Sequence, residues 1–329
     1  MIQAVVREFV EGEALPLIPG CFERGEFPRQ LIPKLGELGL LGPTIPEYGS
    51  GLDATSYGLI CQELERGDSG LRSFASVQGS LVMYPISAYG SDGQKQRYLP
   101  GLHAGTLIGC FGLTEHEHGS DPSAMETRAV RDGDGYVLNG GKMWITNGNL
   151  ADVALIWAKV AEDGQDTVRG FLVETDTRGF DAVEIKHKLS LRASVTSELV
   201  LQDVRVPEAA MLPGVRGLRG PLAALNEARF GIIFGAVGAA MACYEAALRY
   251  AGVRQQFGRP IAGFQLTQSK LVDALQAISQ AQVLAYQLGR LKDGGRLRPA
   301  QVSLGKRANV AMALEVARSM RGVLGANGI

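Results

Sequence analysis

Residues 127–146 read TRAVRDGDGYVLNGGKMWIT, a stretch in which the hydrophobic pattern changes to the two-residue period of β-strands. Gly, Asn and Asp are concentrated in Asp132–Gly135 and Asn139–Gly141, which are therefore expected to be turns. The flanking segments give three short strand candidates: Thr127–Val130, Tyr136–Leu138 and Met143–Thr146. The stretch thus predicts neighbouring short strands rather than a helix.

The strand period begins near Gly109 and continues downstream. Further strand candidates are Val153–Val160, Gly170–Val173 and Leu199–Val206. Several short strands with turns between them are typical of a β-sandwich or barrel. We therefore expect a compact middle β-domain over residues 109–208.

Helical spacing replaces the strand period on both sides of this domain. Before it, hydrophobic residues recur at helical spacing in three runs: Ile2–Val10, Leu31–Leu41 and Tyr57–Arg66. Gly67–Gly70 is expected to break the third helix, and Ser69 is expected to cap the next one. After the β-domain come three long helix candidates: Ile232–Gly252, Gln265–Lys292 and Pro299–Leu324.

The order of these elements predicts an α+β chain. We expect an N-terminal helical domain over residues 1–108 and a C-terminal antiparallel helical bundle over residues 209–329. Strands and helices do not alternate, and neither GxGxxG nor GxxxxGK[ST] occurs in the sequence. A Rossmann or P-loop nucleotide site is therefore not expected.

The composition is that of an ordinary globular chain, since 46% of the 329 residues are hydrophobic, 20% are charged and the net charge is -1. This balance gives no electrostatic reason to expect nucleic acid or an anionic membrane as a partner. The longest apolar run, Phe230–Cys243, is too short to span a bilayer. The four cysteines lie far apart without a CxxC motif, so reduced and mostly buried thiols are expected.

The segment Thr114–Asp121, TEHEHGSD, holds two of the four histidines beside three acids. His116 and His118 are two residues apart, whereas a zinc-binding helix presents its ligands four residues apart, as in HExxH. The other histidines, His103 and His187, are isolated, so no second cluster completes a site. We therefore expect no metal and a solvated loop tip for the two histidines.

The segments around this loop resemble the signature of the acyl-CoA dehydrogenase family. The matching segments are Cys110–Glu115, Gly119–Pro122, Lys142–Asn147, Arg254–Gly258 and Leu324–Gly328. They occur in the family's order and the resemblance covers essentially the whole chain. One departure is His116, where the family usually has Pro, and a loop tolerates this change with altered stiffness.

Within the family, further segments resemble the glutaryl-CoA dehydrogenases: Gly70–Ser73, Ser76–Met83, Ser123–Arg128, Leu189–Ser194 and Gln287–Asp293. The resemblance implies FAD-dependent α,β-dehydrogenation of an acyl-CoA thioester, in which a carboxylate removes the α-proton and the β-hydrogen leaves as hydride to the flavin. The protein must then align these centres and polarise the thioester carbonyl. For glutaryl-CoA it further implies decarboxylation to crotonyl-CoA, in the degradation of lysine and tryptophan.

The resemblance assigns the flavin ring to eight residues of the middle domain. They are Phe111, Leu113, Thr114, Gly119, Ser120, Trp144, Ile145 and Thr146. The amides of Leu113 and Thr114 would bond the polar edge of the ring, Trp144 would flank it, and the Thr146 hydroxyl would reach its N5. The alternative for Trp144 is a plain core aromatic.

The resemblance assigns other parts of FAD to the C-terminal region, at Arg254, Phe257, Gln265, Gly322, Gly325 and Ala326. Arg254 and Gln265 would reach across a dimer interface to the neighbour's FAD, with Arg254 at the pyrophosphate. Gly322–Ala326 would lie against the adenine half. Because the family usually has Gly where this chain has Ala326, a positive φ at that residue would cost strain.

The CoA moiety has its own candidates by the same resemblance. Ser120 resembles a contact to the pantetheine or phosphates, and Leu222–Arg229 resembles the segment that lines the CoA channel. The channel candidates are Leu222, Leu225, Asn226 and Arg229. Arg229 either serves the CoA end or pairs with an acid.

Arg72 is the candidate that selects the substrate. A dicarboxylyl chain carries a carboxylate at its far end, and burying that charge requires a cation with hydrogen-bond donors. Arg72 matches the family position, Ser73 offers a second donor, and Glu65 is expected to orient the guanidinium. The alternative is an ordinary surface ion pair between Glu65 and Arg72, but Gly67–Gly70 argues against the continuous helix that this pair would need.

The catalytic base is not identified in this sequence. The family's glutamate follows the Gly-Asn-Gly turn in a Tyr-Glu-Gly-Thr context and is expected beyond Ile329. Some members carry the base just before the arginine that matches Arg229, and this position is Ala228 here. Glu227 is adjacent but would point elsewhere on a helix. We therefore expect that parts of the natural protein are omitted at both ends of this chain.

Three other functions stay open: a dehydrogenase for another short-chain or dicarboxylyl-CoA, a non-catalytic flavin- or acyl-CoA-binding protein of the same fold, and a flavin oxidase. The resemblance implies a homotetramer, a dimer of dimers with FAD at the dimer interface. It implies electron-transfer flavoprotein as the acceptor, and a location in the bacterial cytoplasm or, in a eukaryote, the mitochondrial matrix.

Overall fold

The computed structural model describes residues 1–329, whose contacts divide into two compact units. The helical unit comprises Met1–Pro16, Asp53–Arg72 and Arg229–Ile329. The β unit comprises Leu17–Leu52 and Ser73–Ala228. Helical segments from both ends of the sequence therefore share one unit, while the strands of the main sheet fall in the other.

The secondary structure follows the predicted order of helices, strands and helices, so the α+β fold class is confirmed. The α-helices are α1 (Ile2–Phe9), α2 (Ile18–Arg24), α3 (Ile32–Glu37), α4 (Ala54–Gly67), α5 (Ser69–Ser76), α6 (Tyr84–Tyr89), α7 (Asp92–Ala104), α8 (Arg219–Val253), α9 (Gln265–Asp293) and α10 (Pro299–Leu324). The strands are β1 (Gly109–Gly112), β2 (Arg128–Asp132), β3 (Gly135–Thr146), β4 (Val153–Glu162), β5 (Gln165–Glu174), β6 (Phe180–Glu184), β7 (Thr196–Pro207), β8 (Gln255–Gln256) and β9 (Arg259–Pro260).

Strands β1 to β7 form one curled sheet in the order β1-β4-β2-β3-β7-β6, with β5 paired to β4. Strand β4 pairs with β1 in parallel and with β5 antiparallel, and its hydrophobic run is buried on both faces. Leu155 and Trp157 pack into one core with Leu99 of α7, whereas Ile156 packs into the other with Phe171. A strand covered on both sides has to be continuously apolar.

Strand β3 corrects one predicted turn. Asp132–Gly135 does close the hairpin between β2 and β3, but Asn139–Gly141 lies inside β3, which runs without interruption. The register with β7 shifts near Asn139, where its amide exchanges two hydrogen bonds with Asp203. Asn and Gly residues serve β-bulges as well as turns, so composition alone did not separate the two.

The helical unit is built around α4, α8, α9 and α10. Tyr57 and Cys61 of α4 pack with Phe230 and Phe234 of α8 and with Leu288 of α9. The connection from α9 to α10 is short, as expected for antiparallel neighbours.

The length of helix α8 corrects the prediction that the apolar segment around Phe230–Cys243 is too short to span a bilayer. The helix has 35 residues, and an 18-residue window of it is apolar enough, by length and composition alone, to cross a membrane. Half of that window is buried within the protein, and Ile233 and Val237 lie in the two hydrophobic cores of the helical unit. The apolar character of α8 is therefore explained by burial in the protein core.

Two helix ends differ from the prediction. Helix α3 ends at Glu37, and Gly39 has a φ of 67°, so Leu38 and Leu41 are not helical. The break before α5 is confirmed, since Asp68 is extended at φ -163°. Asp68 rather than Ser69 bonds the start of α5, because its carboxylate accepts a 2.7 Å hydrogen bond from the Gly70 amide. Asp is a preferred residue at a helix start because its side-chain oxygen accepts from the first free amides.

Candidate functional site

In the β unit, β1 leads into the loop that resembled a flavin-binding segment. Phe111 and Leu113 are buried in the core, Thr114 is half-buried, and Gly119 and Ser120 are exposed. The loop backbone is tied down, since the Met143 amide donates to the Thr114 carbonyl at 2.8 Å. The carbonyls of Leu113 and Thr114 are thus engaged in bonds to β3 residues, while their N–H groups take no part in these bonds.

A buried ion pair fixes this loop. Lys142 is fully buried, and its ammonium lies 2.7 Å from Oε1 of Glu115 and donates to the Leu113 carbonyl at 3.2 Å. The Glu115 carboxylate also accepts from the amides of Glu126, at 2.6 Å, and Thr127, at 3.1 Å. Burial opposes the charge of this carboxylate, but the Glu126 amide and the Lys142 ammonium outweigh it and lower the pKa of Glu115 to about 2.

A bulge directly after Lys142 turns the next side chains. The β3–β7 register shifts between Lys142 and Ile145, and Trp144 has a φ of 63°. Ile145 returns to the interior, Thr146 is half-buried, and Trp144 is 58% exposed. The core-aromatic alternative for Trp144 is therefore wrong. A bulky residue at positive φ is uncommon and often marks a functional site.

These residues fit the FAD that the resemblance implies. The exposed indole of Trp144 offers a flat apolar wall, and Thr114 and Thr146 offer hydroxyl groups on nearby backbone. The side-chain nitrogen of Asn147 is buried without an acceptor in the protein, which is rare unless a ligand supplies one. The set thus combines a stacking surface with polar groups, as a flavin ring requires, and the role of each residue stays a prediction.

The β unit also holds the candidates for the CoA channel up to Glu227. Leu222 is 40% exposed, Leu225 packs partly against the core, and Asn226 is half-buried. Burial raises the pKa of Tyr84, and the nearby charge of Glu227 adds to this effect. The carboxylate of Glu227 therefore lies near Tyr84.

In the helical unit, Arg72 and Glu65 form the pair that the sequence predicted. Nε of Arg72 lies 2.5 Å from Oε2 of Glu65, and Nη2 donates to Oε1 at 3.4 Å. The side chains are only 12% and 9% exposed, so the alternative of an ordinary surface ion pair is wrong. Burial opposes the Arg72 charge, but the Glu65 carboxylate outweighs it and raises the pKa of Arg72. The Nη1 donors take no part in this pair.

Other cations lie near this pair. The pKa of Lys306 is lowered by burial and by the positive charges of Arg229 and Arg72. Burial also raises the pKa of the neighbouring Cys61 thiol to about 12, so this cysteine is uncharged. The corner around Arg72 therefore gathers the cationic side chains of Arg72, Arg229 and Lys306 beside the carboxylates of Glu65 and Asp68. Such a corner suits an anionic ligand.

The remaining FAD candidates belong to the same unit. The Arg254 amide donates to the Tyr250 carbonyl at 2.8 Å, and Asn327 donates to the Tyr250 hydroxyl at 3.0 Å. Arg254 and the turn at Gly325–Gly328 therefore lie at the same end of α8. Gly325 takes the positive φ of 60°, so the strain expected at Ala326 is absent.

Two further candidates, and the turn glycines, are exposed. Phe257 has a φ of 50° at the turn between β8 and β9, and its side chain is 93% exposed. Gln265 begins α9 and is exposed, as is Gly322 near the end of α10. Within this unit, these residues are placed where a ligand or a second chain can reach them.

The two histidines of TEHEHGSD lie in a loop, as predicted. Nε2 of His116 is 3.4 Å from a Glu198 oxygen, and that of His118 is 3.7 Å from a Glu126 oxygen. The His116 side chain is 61% exposed, but that of His118 is only 22% exposed. No group of three or more potential metal ligands is found in the structure.

Glu115 and Lys142 lie in the segments that resemble the family, but the sequence did not predict their pairing. A lysine within a strand of alternating pattern next to an acidic loop is a weak signal for a buried pair. The bulge at Trp144 also breaks the alternation, so the period of two did not show which side chains face inward.

Three family models match the chain in order. The acyl-CoA dehydrogenase N-terminal domain matches residues 1–106, the middle domain residues 110–204, and the C-terminal domain residues 215–329. Together they account for nearly the whole chain.

Relatives agree with these matches. Probable acyl-CoA dehydrogenase YngJ of Bacillus subtilis is 39% identical over 303 residues, covering 90% of this chain and 79% of the relative. The human mitochondrial short-chain specific acyl-CoA dehydrogenase is 34% identical over 333 residues, covering 100% of this chain and 81% of the relative.

Solved structures agree as well. A Mycobacterium smegmatis glutaryl-CoA dehydrogenase in complex with FADH2 has a TM-score of 0.97 and 53% identity, covering 100% of this chain and 84% of that one. A chain in a structure described as the electron transferring flavoprotein of Acidaminococcus fermentans has a TM-score of 0.94 and 35% identity. The match covers 100% of this chain and 87% of that one. This chain therefore belongs to the acyl-CoA dehydrogenase family, with FAD as its cofactor.

Proposed function

We propose that this acyl-CoA dehydrogenase acts on glutaryl-CoA. The observation that supports this proposal most is the nearly buried ion pair of Arg72 with Glu65. A monocarboxylic acyl chain ends in a methyl group and gains nothing from a buried guanidinium. A glutaryl chain ends in a carboxylate, which needs a cation with directed N–H donors when it leaves water.

The geometry at Arg72 suits this task. Glu65 engages Nε and Nη2, so the guanidinium is held at one edge while Nη1 stays outside the pair. The positive charges of Arg229 and Lys306 lie nearby. The pocket end is therefore pre-organised for an anion before substrate arrives.

The β unit supplies the second part of the proposal. FAD, when bound, supplies the acceptor for the hydride that leaves the β-carbon. Trp144 would hold one face of the ring, and the amides of Leu113 and Thr114 would donate to its polar edge. The pair of Lys142 and Glu115 would keep that loop from moving, since it ties the loop backbone to β3. Fixed geometry of this kind lowers the cost of reaching the transition state.

The proposal includes loss of CO2 after oxidation. Removing two hydrogens from glutaryl-CoA leaves a carboxylate on the carbon next to the new double bond. Cleavage of that C–C bond releases CO2 and leaves electrons that the conjugated thioester can hold, and protonation then yields crotonyl-CoA.

We also propose a homotetramer and electron-transfer flavoprotein as the acceptor. Phe257 and Leu266 are 93% and 83% exposed in the isolated chain, which is unusual for large apolar side chains and suggests a partner surface. The acceptor is supported by the likeness to a chain from the electron transferring flavoprotein structure.

A second candidate substrate is a short monocarboxylic acyl-CoA such as butyryl-CoA. It is favoured by the 34% identity to the human short-chain specific enzyme over the whole chain. Under this alternative, Arg72 and Glu65 form a structural pair and do not contact the acyl chain.

An anaerobic visible spectrum of the full-length protein with each substrate tests the proposal. Glutaryl-CoA should bleach the flavin band, and butyryl-CoA should bleach it much less at equal concentration. Bleaching by butyryl-CoA alone would agree with an acyl-CoA dehydrogenase but would contradict glutaryl-CoA as its substrate. A yellow protein that neither thioester bleaches would favour a non-catalytic binding protein.

A further inference from the structure

Helix α8 carries three glycines on the face that it turns toward α4. They are Gly231, Gly235 and Gly238, spaced four and three residues apart. A Cβ built on Gly231 would lie 3.0 Å from Sγ of Cys61, and one on Gly238 would lie 1.9 Å from the Gln62 carbonyl. Glycine is unfavourable inside a helix relative to alanine, so this face requires a reason in packing.

Gly235 has a different neighbour from the other two. A Cβ at Gly235 would lie 2.1 Å from Oε2 of Glu65 and 3.4 Å from Nε of Arg72. The same Oε2 accepts the 2.5 Å hydrogen bond from Nε of Arg72. The Glu65 carboxylate therefore occupies the space that any other side chain at position 235 would fill.

We propose that Gly235 is a specificity-determining position, which holds Arg72 in its carboxylate-binding orientation by leaving room for Glu65. Gly235 is a positioning residue in this role, because it acts through Glu65. The inference rests on the proposed function, since it assumes that Arg72 recognises the distal carboxylate of glutaryl-CoA.

The surrounding charges explain why the position of Glu65 matters. Arg72 is nearly buried, and the positive charges of Arg229 and Lys306 lie close by. If a methyl group displaced the Glu65 carboxylate, Arg72 would lose its fixed partner beside two like charges. The guanidinium would then turn toward other acceptors or solvent and lose its alignment with the substrate.

The test compares Gly235→Ala with Gly231→Ala in the full-length protein. Gly231→Ala is the matched control, because it adds the same methyl group one helical turn away, against Cys61 and Tyr57. Steady-state kinetics with glutaryl-CoA and butyryl-CoA give the ratio of the two kcat/KM values. Gly235→Ala should lower this ratio on the order of 10 to 100-fold, mainly through a higher KM for glutaryl-CoA. Gly231→Ala should leave the ratio within about twofold of the wild type.

A second variant keeps the test decisive if Gly235→Ala folds poorly. Glu65→Asp withdraws the carboxylate by one methylene, so the double variant Gly235→Ala/Glu65→Asp should fold and recover part of the ratio. An unchanged ratio in a folded Gly235→Ala variant, an equal fall in both glycine variants, or no recovery in the double variant would each overturn the inference. If the wild type itself does not prefer glutaryl-CoA, it is the proposed function that fails.

Discussion

The molecule contains two ion pairs that are buried or nearly buried, and they differ in how many groups of the protein bond them. In the β unit, Lys142 is fully buried and Glu115 is 8% exposed. In the helical unit, Arg72 and Glu65 are 12% and 9% exposed. Each pair is a charged couple taken out of water, which costs more than it returns unless hydrogen bonds complete it.

The Lys142–Glu115 pair is completed within the protein. Glu115 accepts from Lys142 and from the amides of Glu126 and Thr127, and Lys142 donates to the Leu113 carbonyl as well. Its bonds all go to its own loop and strand. Such a pair fixes backbone position and has little left to offer a ligand.

The Arg72–Glu65 pair has fewer bonds within the protein. Two of the guanidinium nitrogens contact Glu65, and the third is outside the pair. Nearby cations further favour an incoming anion. In the proposed function, the first pair holds the flavin-side loop, while the second recognises the distal carboxylate of the substrate.

The largest effect is expected from Lys142→Met. This change leaves the Glu115 carboxylate buried without its cation, which should lower the free energy of unfolding by about 3 to 5 kcal/mol. Urea unfolding followed by circular dichroism measures the change. A loss below about 1 kcal/mol would show that the pair does not hold the loop.

Lowering the pH should also reveal how far the charge of Glu115 stabilises the fold. The folded-state pKa of Glu115, about 2, lies below its ordinary value of 4.5, so its contribution to stability is complete above pH 4.5 and is lost as the pH falls toward 2. The stability gap between the wild type and Glu115→Gln should therefore narrow from pH 6 to pH 2.5. A constant gap would contradict the assignment.

Trp144→Ala tests whether the indole contributes to FAD binding without contributing to the stability of the fold. The indole is 58% exposed, so its removal should leave the unfolding free energy of the apoprotein within about 0.5 kcal/mol. Loss of the stacking wall should weaken FAD binding roughly tenfold. Flavin fluorescence titration of the apoprotein measures the dissociation constant. Unchanged FAD affinity would remove Trp144 from the site.

The smallest effect is expected from Arg128→Met, which breaks an exposed ion pair in the same sheet. Arg128 lies 2.7 Å from Asp166, but the side chains are 52% and 36% exposed. Water already solvates both groups, so the unfolding free energy should fall far less than in Lys142→Met. A loss as large as that of Lys142→Met would mean that burial does not separate the two pairs.

The sequence predicted elements whose signals are local. Helix α10 begins and ends at the predicted residues, Pro299 and Leu324, because Pro and Gly mark the two ends. The hairpin turn at Asp132–Gly135 was predicted because Asp and Gly residues, which favour turns, are concentrated there. The pairing of Glu65 with Arg72 was predicted from the family resemblance and from the need for a cation beside a buried carboxylate, and the low exposure of both side chains agrees with the pocket position rather than with a surface pair.

What the sequence did not predict depends on tertiary packing. The bulge that exposes Trp144 arises from pairing with β7, a strand far along the chain. The closeness of Gly235 to Glu65 depends on how α8 packs on α4. Neither feature can be predicted from a local hydrophobic period, because each depends on contacts between segments that are distant in sequence.

The most direct test of the central claim is the substrate preference of Arg72→Ala, measured as kcat/KM for glutaryl-CoA and for butyryl-CoA, with Arg128→Ala as control. Loss of a charged hydrogen-bonding partner should reduce the glutaryl-CoA value on the order of 100-fold. The butyryl-CoA value should change little by comparison, and the control should match the wild type with both. Equal losses on both thioesters would contradict the account, because Arg72 would then support the fold rather than select the substrate.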